Sequence, residues 1–548
     1  MSKIKIFSLG GLNENGKNMY VVDVDNDLFV FDAGLKYANE KMLGIDYIIP
    51  DFSFLKENIK RIKGIFITHG HQESMGAVSD IVSELPEINI YSCKFTCDLI
   101  KRNFNDLGIN FKNLHEIMQH KKINFGKNSI FPVALTHSIP DNVGYVLNTE
   151  DGSIVYTGNF VFDSSMTGSY KTDIGKLAYI GKQKVLCLLS ESSYADRPGY
   201  TVPNNRIAST ARDILLHNEG RIIVTVFSAH ISRIQELLSE VEVTQRRVVI
   251  MGKKLQQLIN YTIDNGYIKF NKDKIGTLAN LTDKDSVILI SNENEKPFLN
   301  LERIVNGYDK YIKILPTDTI FYLDPIGTYN ERIAVKLSDD IAKLGARCIS
   351  LSPKEYLLNH ASTEDLMLML NLMNPKYYFP VMGEYRHQVA NADIAYSLNM
   401  SKENIILKQN GEVAIFNNGV LSKETEKVKV DELLIDGNTT KDIGELVLKD
   451  RELLSENGIV IICATLNKKT KKILSGPEVL TRGFIYVKEN EEFIKQIKEI
   501  SNKIILSNIS NNYVEFNKIK TEIRDELGKF FYQETECKPM IITVINEI

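Results

Sequence analysis

Apolar residues recur with two different periods along the chain. Over residues 3–190, short runs with apolar residues at alternate positions predict strands, for example Lys3–Leu9 and Met19–Val24. Asp151-Gly152 stands between two such runs and predicts a hairpin. Apolar residues at helical spacing from Met75 to Leu85 predict a helix between the strands. This part of the chain is therefore predicted to be a strand-rich domain with a few helices.

A different rhythm follows between about residues 205 and 350. Strand-like Ile222–Val226 precedes helix-like Ile231–Ser239, and further strand and helix signals come after it. Strands that alternate with helices predict a parallel α/β sheet. The first pattern returns over residues 357–420, where Asn410-Gly411 predicts another hairpin. The α/β unit is therefore predicted to be an insertion into the first domain.

The end of the chain forms a third predicted unit. Lys423–Lys429 is charged and has no periodicity, so it is interpreted as a linker. Residues 431–548 then read as a small α/β domain. Its predicted strands are Ile459–Thr465 and Met540–Val544, and its predicted amphipathic helices are Phe493–Ile505 and Val514–Phe531.

Composition narrows the class of protein. Apolar residues make up 43% of the chain and charged residues 25%, as in ordinary globular proteins. The net charge of −4 argues against a broadly basic nucleic-acid coat, although it leaves room for a local basic groove. Six scattered cysteines do not suggest a disulfide framework. Because no apolar run reaches a membrane span and the first residues lack a signal peptide, we expect a cytoplasmic protein that does not enter a membrane.

Polar side chains follow several of the predicted strands. Histidines come after two of them, His69 and His71 after Gly64–Thr68 and His137 after Phe131–Leu135. Loops at strand ends are where functional sites are usually built. Neutral imidazoles are good zinc ligands, and three of them leave a fourth position for water. The alternative is that these histidines are hydrogen-bonded core groups that hold no metal.

Short motifs in a fixed order carry a resemblance to a known family. The segment THGHQESMGA, Thr68 to Ala77, is similar to the metallo-β-lactamase signature His-X-His-X-Asp-His. Further segments in chain order are SLGGLNENGKNMY, FDAGL, MLGIDYIIPD, THSIPDNVGY, YTGNFVFD, SESSYADRPGYT, NHASTED and FPVMGEYR. Together they resemble the bacterial ribonuclease J family from about residue 3 to the end of the chain.

The resemblance implies a fold and its domains. An α/β protein is expected, with a metallo-β-lactamase αββα sandwich, an inserted α/β β-CASP domain and a small C-terminal α/β domain. The implied boundaries are 1–200 and 356–422 for the two parts of the metallo-β-lactamase domain, 201–355 for the β-CASP domain, 423–430 for the linker and 431–548 for the C-terminal oligomerisation domain.

The resemblance also implies a metal site, which this chain keeps only in part. The ligands of the family's first metal match His69, His71 and His137, and Asp32 matches the residue that supports the metal loop. The positions of the second-metal ligands hold Glu73, Ser74, Asn159 and Met382. An amide is a weak bridging ligand, a thioether suits zinc poorly at such a site, and the extra methylene of Glu73 displaces its carboxylate by roughly 1.5 Å. We therefore expect at most one ion, zinc or manganese, or none.

The β-CASP motifs are mixed. Glu191 matches the family's acidic residue, and His360 matches its histidine near the scissile phosphate. Ser362 follows at the expected offset for a phosphate contact, and His230 stands in the segment FSAH where the family usually has Phe-Ala-Ser-Asn. The family's Gly-rich loop is replaced by Ser291–Pro297, which has no glycine. For His360 the alternative is a helix N-terminal residue that bonds a backbone group.

By resemblance, the chain takes part in mRNA turnover and rRNA processing. The family's activity is metal-dependent 5′-to-3′ exonuclease and endonuclease cleavage of RNA. The lost ligands favour a weakly active or inactive paralogue that forms a dimer or tetramer with an active ribonuclease J, or with itself, through the C-terminal domain. A weak nuclease with one metal ion and a catalytically dead RNA-binding scaffold are the alternatives. A metallo-β-lactamase-fold thioesterase or lactamase is poorly supported, because the inserted domain indicates nucleic acid.

Overall fold

The computed structural model describes residues 2–39, 42–292, 298–327, 330–437, 445–484, 491–509 and 514–548. These residues form two compact units, one comprising Met1–Tyr37 and Tyr47–Leu433, the other comprising Ala38–Asp46 and Leu434–Ile548. In the described residues no helix is both long enough and apolar enough to cross a membrane.

The strands of the first unit are β1 (Lys3–Gly10), β2 (Met19–Val24), β3 (Asp27–Phe31), β4 (Lys36–Tyr37), β5 (Tyr47–Pro50), β6 (Ile62–Phe66), β7 (Ile90–Cys93), β8 (Leu114–Ile117), β9 (Ile123–Phe125), β10 (Asn128–Ala134), β11 (Val143–Thr149), β12 (Gly152–Tyr156), β13 (Val185–Glu191), β14 (Ile222–Val226), β15 (Arg247–Met251), β16 (Ser286–Ser291), β17 (Thr319–Tyr322), β18 (Arg347–Ile349), β19 (Tyr377–Val381), β20 (Glu412–Asn417), β21 (Val420–Leu421) and β22 (Glu426–Lys427). Its α-helices are α1 (Ser53–Glu57), α2 (Gln72–Met75), α3 (Val78–Glu84), α4 (Lys94–Leu107), α5 (Ile174–Gly181), α6 (Ala208–His217), α7 (Ile231–Glu242), α8 (Lys253–Asp264), α9 (Leu299–Val305), α10 (Glu331–Lys343), α11 (Thr363–Met373) and α12 (Tyr385–Ser397).

Strand β23 (Glu432–Ile435) begins in the first unit and ends in the second. The second unit continues with α13 (Glu445–Asn457), β24 (Ile459–Leu466), β25 (Ile473–Arg482), α14 (Glu491–Ser507), α15 (Phe516–Thr535) and β26 (Met540–Glu547).

Two sheets form the centre of the first unit. In the first sheet the strands lie in the order β21-β20-β1-β2-β3-β6-β7-β8, and in the second β19-β13-β12-β11-β10-β9. One buried cluster takes side chains from both, among them Phe31 and Phe66 of the first sheet with Tyr145 and Leu189 of the second. On its other face the second sheet packs against α11 and α12, through residues such as Met369. The predicted sandwich of two sheets with outer helices is confirmed.

The first sheet joins the two ends of the first unit's chain. Strand β1 pairs antiparallel with β20, with Ile4 opposite Phe416 and Ile6 opposite Ala414. Strand β1 alternates apolar and polar residues only over Lys3–Ile6, and Val413–Phe416 of β20 is a continuous buried apolar run. The sheet therefore depends on residues more than 400 positions apart in the sequence.

The inserted unit has its own parallel sheet. Its strands lie in the order β15-β16-β14-β17-β18, and every pair is parallel. Strand β14 is buried along its whole length, as expected for a strand covered on both faces. Val224 contributes to the apolar cluster on one face and Ile223 to the cluster on the other. The predicted α/β insertion is confirmed.

The second unit has a three-stranded sheet in the order β25-β24-β26. Alternate residues of β24, from Val460 to Leu466, are buried in a cluster with apolar residues of α14 and α15 such as Ile505 and Phe531. Both predicted helices are present. Helix α14 extends beyond its predicted range at both ends, and α15 is shifted toward the C-terminus relative to its predicted range.

Two local predictions differ from the structure. The hairpin predicted at Asn410-Gly411 is wrong, because this turn precedes β20 and the hairpin lies at Asn418-Gly419, between β20 and β21. The two dipeptides are identical, so only the pairing of the flanking strands separates them. The segment predicted as a linker, 423–430, contains β22, which pairs with β20. Lys5 forms an ion pair of 2.7 Å with Glu426 there.

Candidate metal and nucleic-acid site

Three buried histidines meet where strands of the two central sheets end. His69 and His71 lie in the loop after β6, and His137 lies in the loop after β10. Their ring centroids are 4.6–4.8 Å apart, and their ligand atoms lie within 4.8 Å of one another. The structure thus brings together the three side chains that the sequence predicted as one ligand set.

A hydrogen-bond chain behind His69 fixes the orientation of its ring. Buried Asp32 accepts hydrogen bonds from the Thr68 backbone N–H at 2.8 Å and from the Tyr156 hydroxyl at 2.6 Å. Burial raises the pKa of Asp32 to about 7 against the effect of these hydrogen bonds. The Thr68 hydroxyl lies 3.0 Å from Asp32 and 2.8 Å from His69 Nδ1. Because that hydroxyl donates to the carboxylate, it accepts from His69 Nδ1–H, which leaves the lone pair on Nε2.

The other two rings are oriented by backbone carbonyls. His137 Nδ1 lies 2.7 Å from the carbonyl oxygen of Asn359, and His71 Nε2 lies 3.2 Å from that of Ala229. A carbonyl oxygen only accepts, so both nitrogens carry hydrogen. His137 Nε2 and His71 Nδ1 therefore face the centre of the cluster, where they lie 3.2 Å apart.

His69 Nε2, His71 Nδ1 and His137 Nε2 thus face one another. Burial lowers the pKa values of His69 and His137 well below their ordinary value, so these two rings are neutral. Among the described residues, His69 Nε2 has no hydrogen-bond partner. Three convergent imidazole nitrogens are a fitting site for one divalent cation.

The positions predicted for a second metal ion are arranged differently. Glu73 Oε1 lies 3.2 Å from His71 Nδ1, on the side of the histidine cluster. The Asn159 amide nitrogen donates to the same carboxylate oxygen at 3.4 Å, so the two side chains contact each other. Ser74 is fully buried. Glu73 is the only anionic group among these residues, and it is engaged by neighbouring protein groups.

Met382 belongs to the apolar core and does not resemble a ligand. Its side chain is 3% exposed and lies in the cluster between the two central sheets. Its backbone has a φ of 61°, and its N–H donates to the carbonyl of Gly11 at 3.1 Å. Asp163, a carboxylate nearby in sequence to Asn159, forms an ion pair with Arg206. The residues at these positions do not fit a second cation.

Partly exposed His360 and buried Glu191 form a dyad beside the histidine cluster. His360 Nδ1 lies 2.8 Å from Glu191 Oε2, and the ring centroids of His360 and His137 are 5.7 Å apart. Burial lowers the pKa of His360, but the charge and the hydrogen bond of Glu191 outweigh burial, so the net effect raises it. Glu191 is itself held by the backbone N–H groups of Phe160 and Ala361. The dyad therefore favours a protonated imidazole at this point.

Ser362 has a clear structural place. It is fully buried and is the N-cap of α11, with a reciprocal capping box to Asp365. Its hydroxyl lies 2.7 Å from that of Thr201. A phosphate contact through this hydroxyl stays a prediction that the arrangement does not favour.

Sequence reasoning missed the partners of His230. His230 Nδ1 lies 2.7 Å from Asp324 Oδ1, and buried Arg233 donates to the same oxygen at 3.2 Å. Asp324 follows the end of β17, so an acid at a strand end was the signal that could have identified it. The His230 and His71 ring centroids are 6.0 Å apart. The structure thus places His230 beside the histidine cluster.

Two cavities meet at these residues. One, of about 640 Å³, is lined by His71, His137, His230 and His360. The other, of about 650 Å³, lies on the side of Asn159 and Met382, and it also includes Glu73 and His360. Basic and aromatic side chains line this second cavity, namely Lys36, Arg197, Lys354, Arg386, Tyr37, Tyr194 and Tyr356. Such a lining suits a phosphate backbone with stacked bases. Of the loop predicted to replace the Gly-rich segment, residues 293–297 lie outside the described residues.

Comparison with known proteins decides the family. Three family models match the chain: the Beta-lactamase superfamily domain over residues 29–174, the Ribonuclease J beta-CASP domain over 219–336 and the Ribonuclease J C-terminal domain over 446–548. Ribonuclease J2 of Bacillus subtilis (strain 168) is 38% identical, over 100% of this chain and 99% of that protein. The chain belongs to the ribonuclease J family.

Other similar proteins agree with this assignment. Ribonuclease J 2 of Staphylococcus epidermidis (strain ATCC 12228) and of Staphylococcus aureus (strain NCTC 8325) are each 36% identical, over 100% of this chain and 98% of those proteins. The crystal structure of a protein of unknown function from Enterococcus faecalis V583 matches with a TM-score of 0.55 at 16% identity, covering 76% of this chain and 100% of that one. This last similarity shows a shared fold alone. As a ribonuclease J family member, the chain belongs to a group of RNA-binding nucleases.

Proposed function

We propose that this chain is a weakly active or inactive ribonuclease J subunit that acts in mRNA turnover and rRNA processing. It works in a complex with an active ribonuclease J, in the cytoplasm. The observation that supports this most strongly is the contact between Glu73 and Asn159. Among the four positions for second-metal ligands, only Glu73 holds a carboxylate, and the Asn159 amide contacts it. These positions therefore offer no pair of anionic ligands for a second cation, and two-metal phosphodiester hydrolysis needs that cation.

The proposed roles follow from the geometry. His69, His71 and His137 would hold one zinc or manganese ion, which supplies Lewis-acid chemistry when bound. Asp32 keeps the His69 ring oriented through Thr68. The C-terminal domain is proposed to make the dimer or tetramer.

Three further side chains are proposed to meet RNA. His360, bonded through Nδ1 to Glu191, presents its Nε2–H toward the cavities, where it would donate to a phosphate oxygen. His230 lines the same cavity and is a proposed second phosphate contact. Ser362 matches the family motif for a third contact, but its buried position at the N-cap of α11 favours a structural role. Glu191 holds His360 protonated and so positions the donor.

RNA cleavage under single-turnover conditions tests the proposal. The purified chain, in excess over 5′-monophosphorylated RNA and with Mn²⁺ or Zn²⁺, is compared with an active ribonuclease J alone and with a mixture of the two. We expect slow or no cleavage by the chain alone, and altered rates or cleavage positions in the mixture. Rapid cleavage by the chain alone that disappears in His71→Ala would overturn the proposal.

A matched variant controls for cleavage by a contaminating nuclease. His115→Ala removes an exposed histidine of β8 that bonds Asn89 and lies outside the cluster. Residual cleavage that is the same in His71→Ala, His115→Ala and the parent chain does not come from this site.

A binding role without cleavage is the second candidate. The intact Glu191–His360 dyad and the basic lining of the second cavity favour it, because both would retain RNA without any metal ion. Binding of 5′-monophosphorylated RNA that weakens in His360→Ala, with no cleavage, would support this candidate.

A further inference from the structure

A carboxylate oxygen lies beside the three histidine nitrogens. Glu73 Oε1 lies 3.2 Å from His71 Nδ1 and 4.0 Å from His69 Nε2. Ala229 and Thr68 bond the opposite side of each ring, so both nitrogens face the carboxylate oxygen. Either a proton on His71 Nδ1 or a cation held between these groups makes the close approach of Glu73 favourable.

We propose that Glu73 is the fourth ligand of a single divalent cation held by the three histidines, so that the coordination sphere is closed by protein groups. The inference rests on the proposed function and deepens it. It assigns the site the role of a structural metal centre within this subunit.

The two distances from His71 match those of a four-coordinate centre. Ligands at about 2.0–2.1 Å from a tetrahedral zinc ion are about 3.3 Å from one another. The contact between His71 Nδ1 and His137 Nε2 is 3.2 Å, and the two contacts of Glu73 are 3.2 and 4.0 Å. The glutamate side chain is one methylene longer than aspartate, which gives its carboxylate the reach to turn back toward the histidines.

Asn159 contributes to this arrangement. Its amide nitrogen donates to Glu73 Oε1 at 3.4 Å, which holds the carboxylate beside the cluster. The ligand is thus supported by a hydrogen bond of its own, as metal ligands usually are. Zinc sites with four protein ligands are structural, whereas catalytic sites keep one position open for water or substrate. A closed sphere therefore explains why a chain that retains three histidines would not hydrolyse RNA.

Cobalt spectroscopy of the full-length protein tests the proposal. Co²⁺ replaces zinc and absorbs strongly in the visible range when it is four-coordinate, and azide changes the spectrum only where a position is open. The parent chain, Glu73→Gln and Glu73→Ala are titrated with Co²⁺ after chelation, then with azide. Glu116→Gln, a change at an exposed glutamate of β8, is the matched control.

We expect one Co²⁺ per chain in the parent, with an intense spectrum that azide does not change. Glu73→Gln keeps the size of the side chain and should weaken Co²⁺ binding at least tenfold and make the spectrum respond to azide. Glu116→Gln should match the parent. Circular dichroism of each variant verifies the fold, and Glu73→Asp, which keeps the charge but shortens the reach, replaces any variant that does not fold.

Two results would overturn the proposal. An azide-sensitive spectrum in the parent would show an open site. Absence of Co²⁺ binding would mean that a proton on His71 pairs with Glu73 in place of a metal ion. Either result leaves the proposed function standing, because that function fails only on rapid RNA cleavage by the chain alone.

Discussion

Replacing Asn159 with aspartate should make the stability of the protein depend on metal. The change turns the 3.4 Å contact between the Asn159 amide and Glu73 into a contact between two carboxylates. Two unit charges at this distance repel by about 5 kcal/mol at an effective dielectric constant of 20. The Glu73 side chain is 31% exposed, so solvent screening reduces the effect. We expect the metal-free variant to lose about 2–3 kcal/mol of unfolding free energy.

The loss should depend on pH with a defined sign. Repulsion raises the pKa of one of the two carboxyls in the folded variant above its value in the unfolded chain. The folded state then binds a proton that the unfolded state releases, so the loss is absent at low pH and grows as pH rises through that folded pKa. A divalent cation between the carboxylates relieves the repulsion and stabilises the fold by mass action.

Thermal unfolding followed by circular dichroism measures these effects. The chain has no tryptophan, which rules out indole fluorescence as the probe. Asn159→Ala is the matched control, because it removes the amide without adding charge. The variant and the control should differ at pH 8 in chelator and converge when Mn²⁺ is added. Equal melting of Asn159→Asp and Asn159→Ala in chelator at every pH would refute the electrostatic reasoning.

Three further substitutions test other parts of the structure. Burial raises the pKa of Asp80 to about 6, so the folded state holds this proton more tightly than the unfolded state and stability falls as pH rises from about 4 to 6. Asp80→Asn should therefore be more stable than the parent above pH 6, by up to about 3 kcal/mol, and equal to it at pH 4 in calorimetric unfolding. Ser362→Ala removes the N-cap of α11 and should cost about 1–2 kcal/mol in the same measurement, whereas Ser362→Thr should recover part of it. Arg221→Met leaves Asp318 buried without its ion pair and should lower the unfolding free energy by about 3–5 kcal/mol. If the unpaired charge is the cause, the double variant with Asp318→Asn should recover part of this loss.

Most strands and helices could be predicted, because their apolar periodicity reflects burial in the structure. Strand Ile222–Val226, for example, was predicted from a continuous apolar run and is buried on both faces. The hairpin at Asn410-Gly411 could not be separated from the one at Asn418-Gly419, since turn chemistry alone does not say which strands pair. The predicted positions of His69, His71 and His137 relied on a motif, and the structure adds that their ligand atoms lie within 4.8 Å of one another.

The rest of the site depends on contacts between residues distant in sequence. Asp324 meets His230 across 94 positions, and nothing in the local sequence of either residue indicates the other. Glu73 could be recognised as a replaced ligand, but its turn toward His71 and its contact with Asn159 follow from tertiary packing. Periodicity and motifs therefore identified the histidines and the dyad, and left the electrostatics between them to the structure.

Because β1 pairs with β20, the first sheet can be completed only late in the synthesis of this protein. Lys3 lies opposite Asn417, so the edge of β1 has no partner strand in that direction until about 400 further residues have left the ribosome. At about 5–20 residues per second this interval lasts roughly 20–80 s. Throughout it the nascent chain carries an open strand edge, which is the kind of surface that recruits chaperones or pairs with a neighbouring nascent chain. Co-translational mispairing therefore has a long interval in which to compete with folding of this sheet.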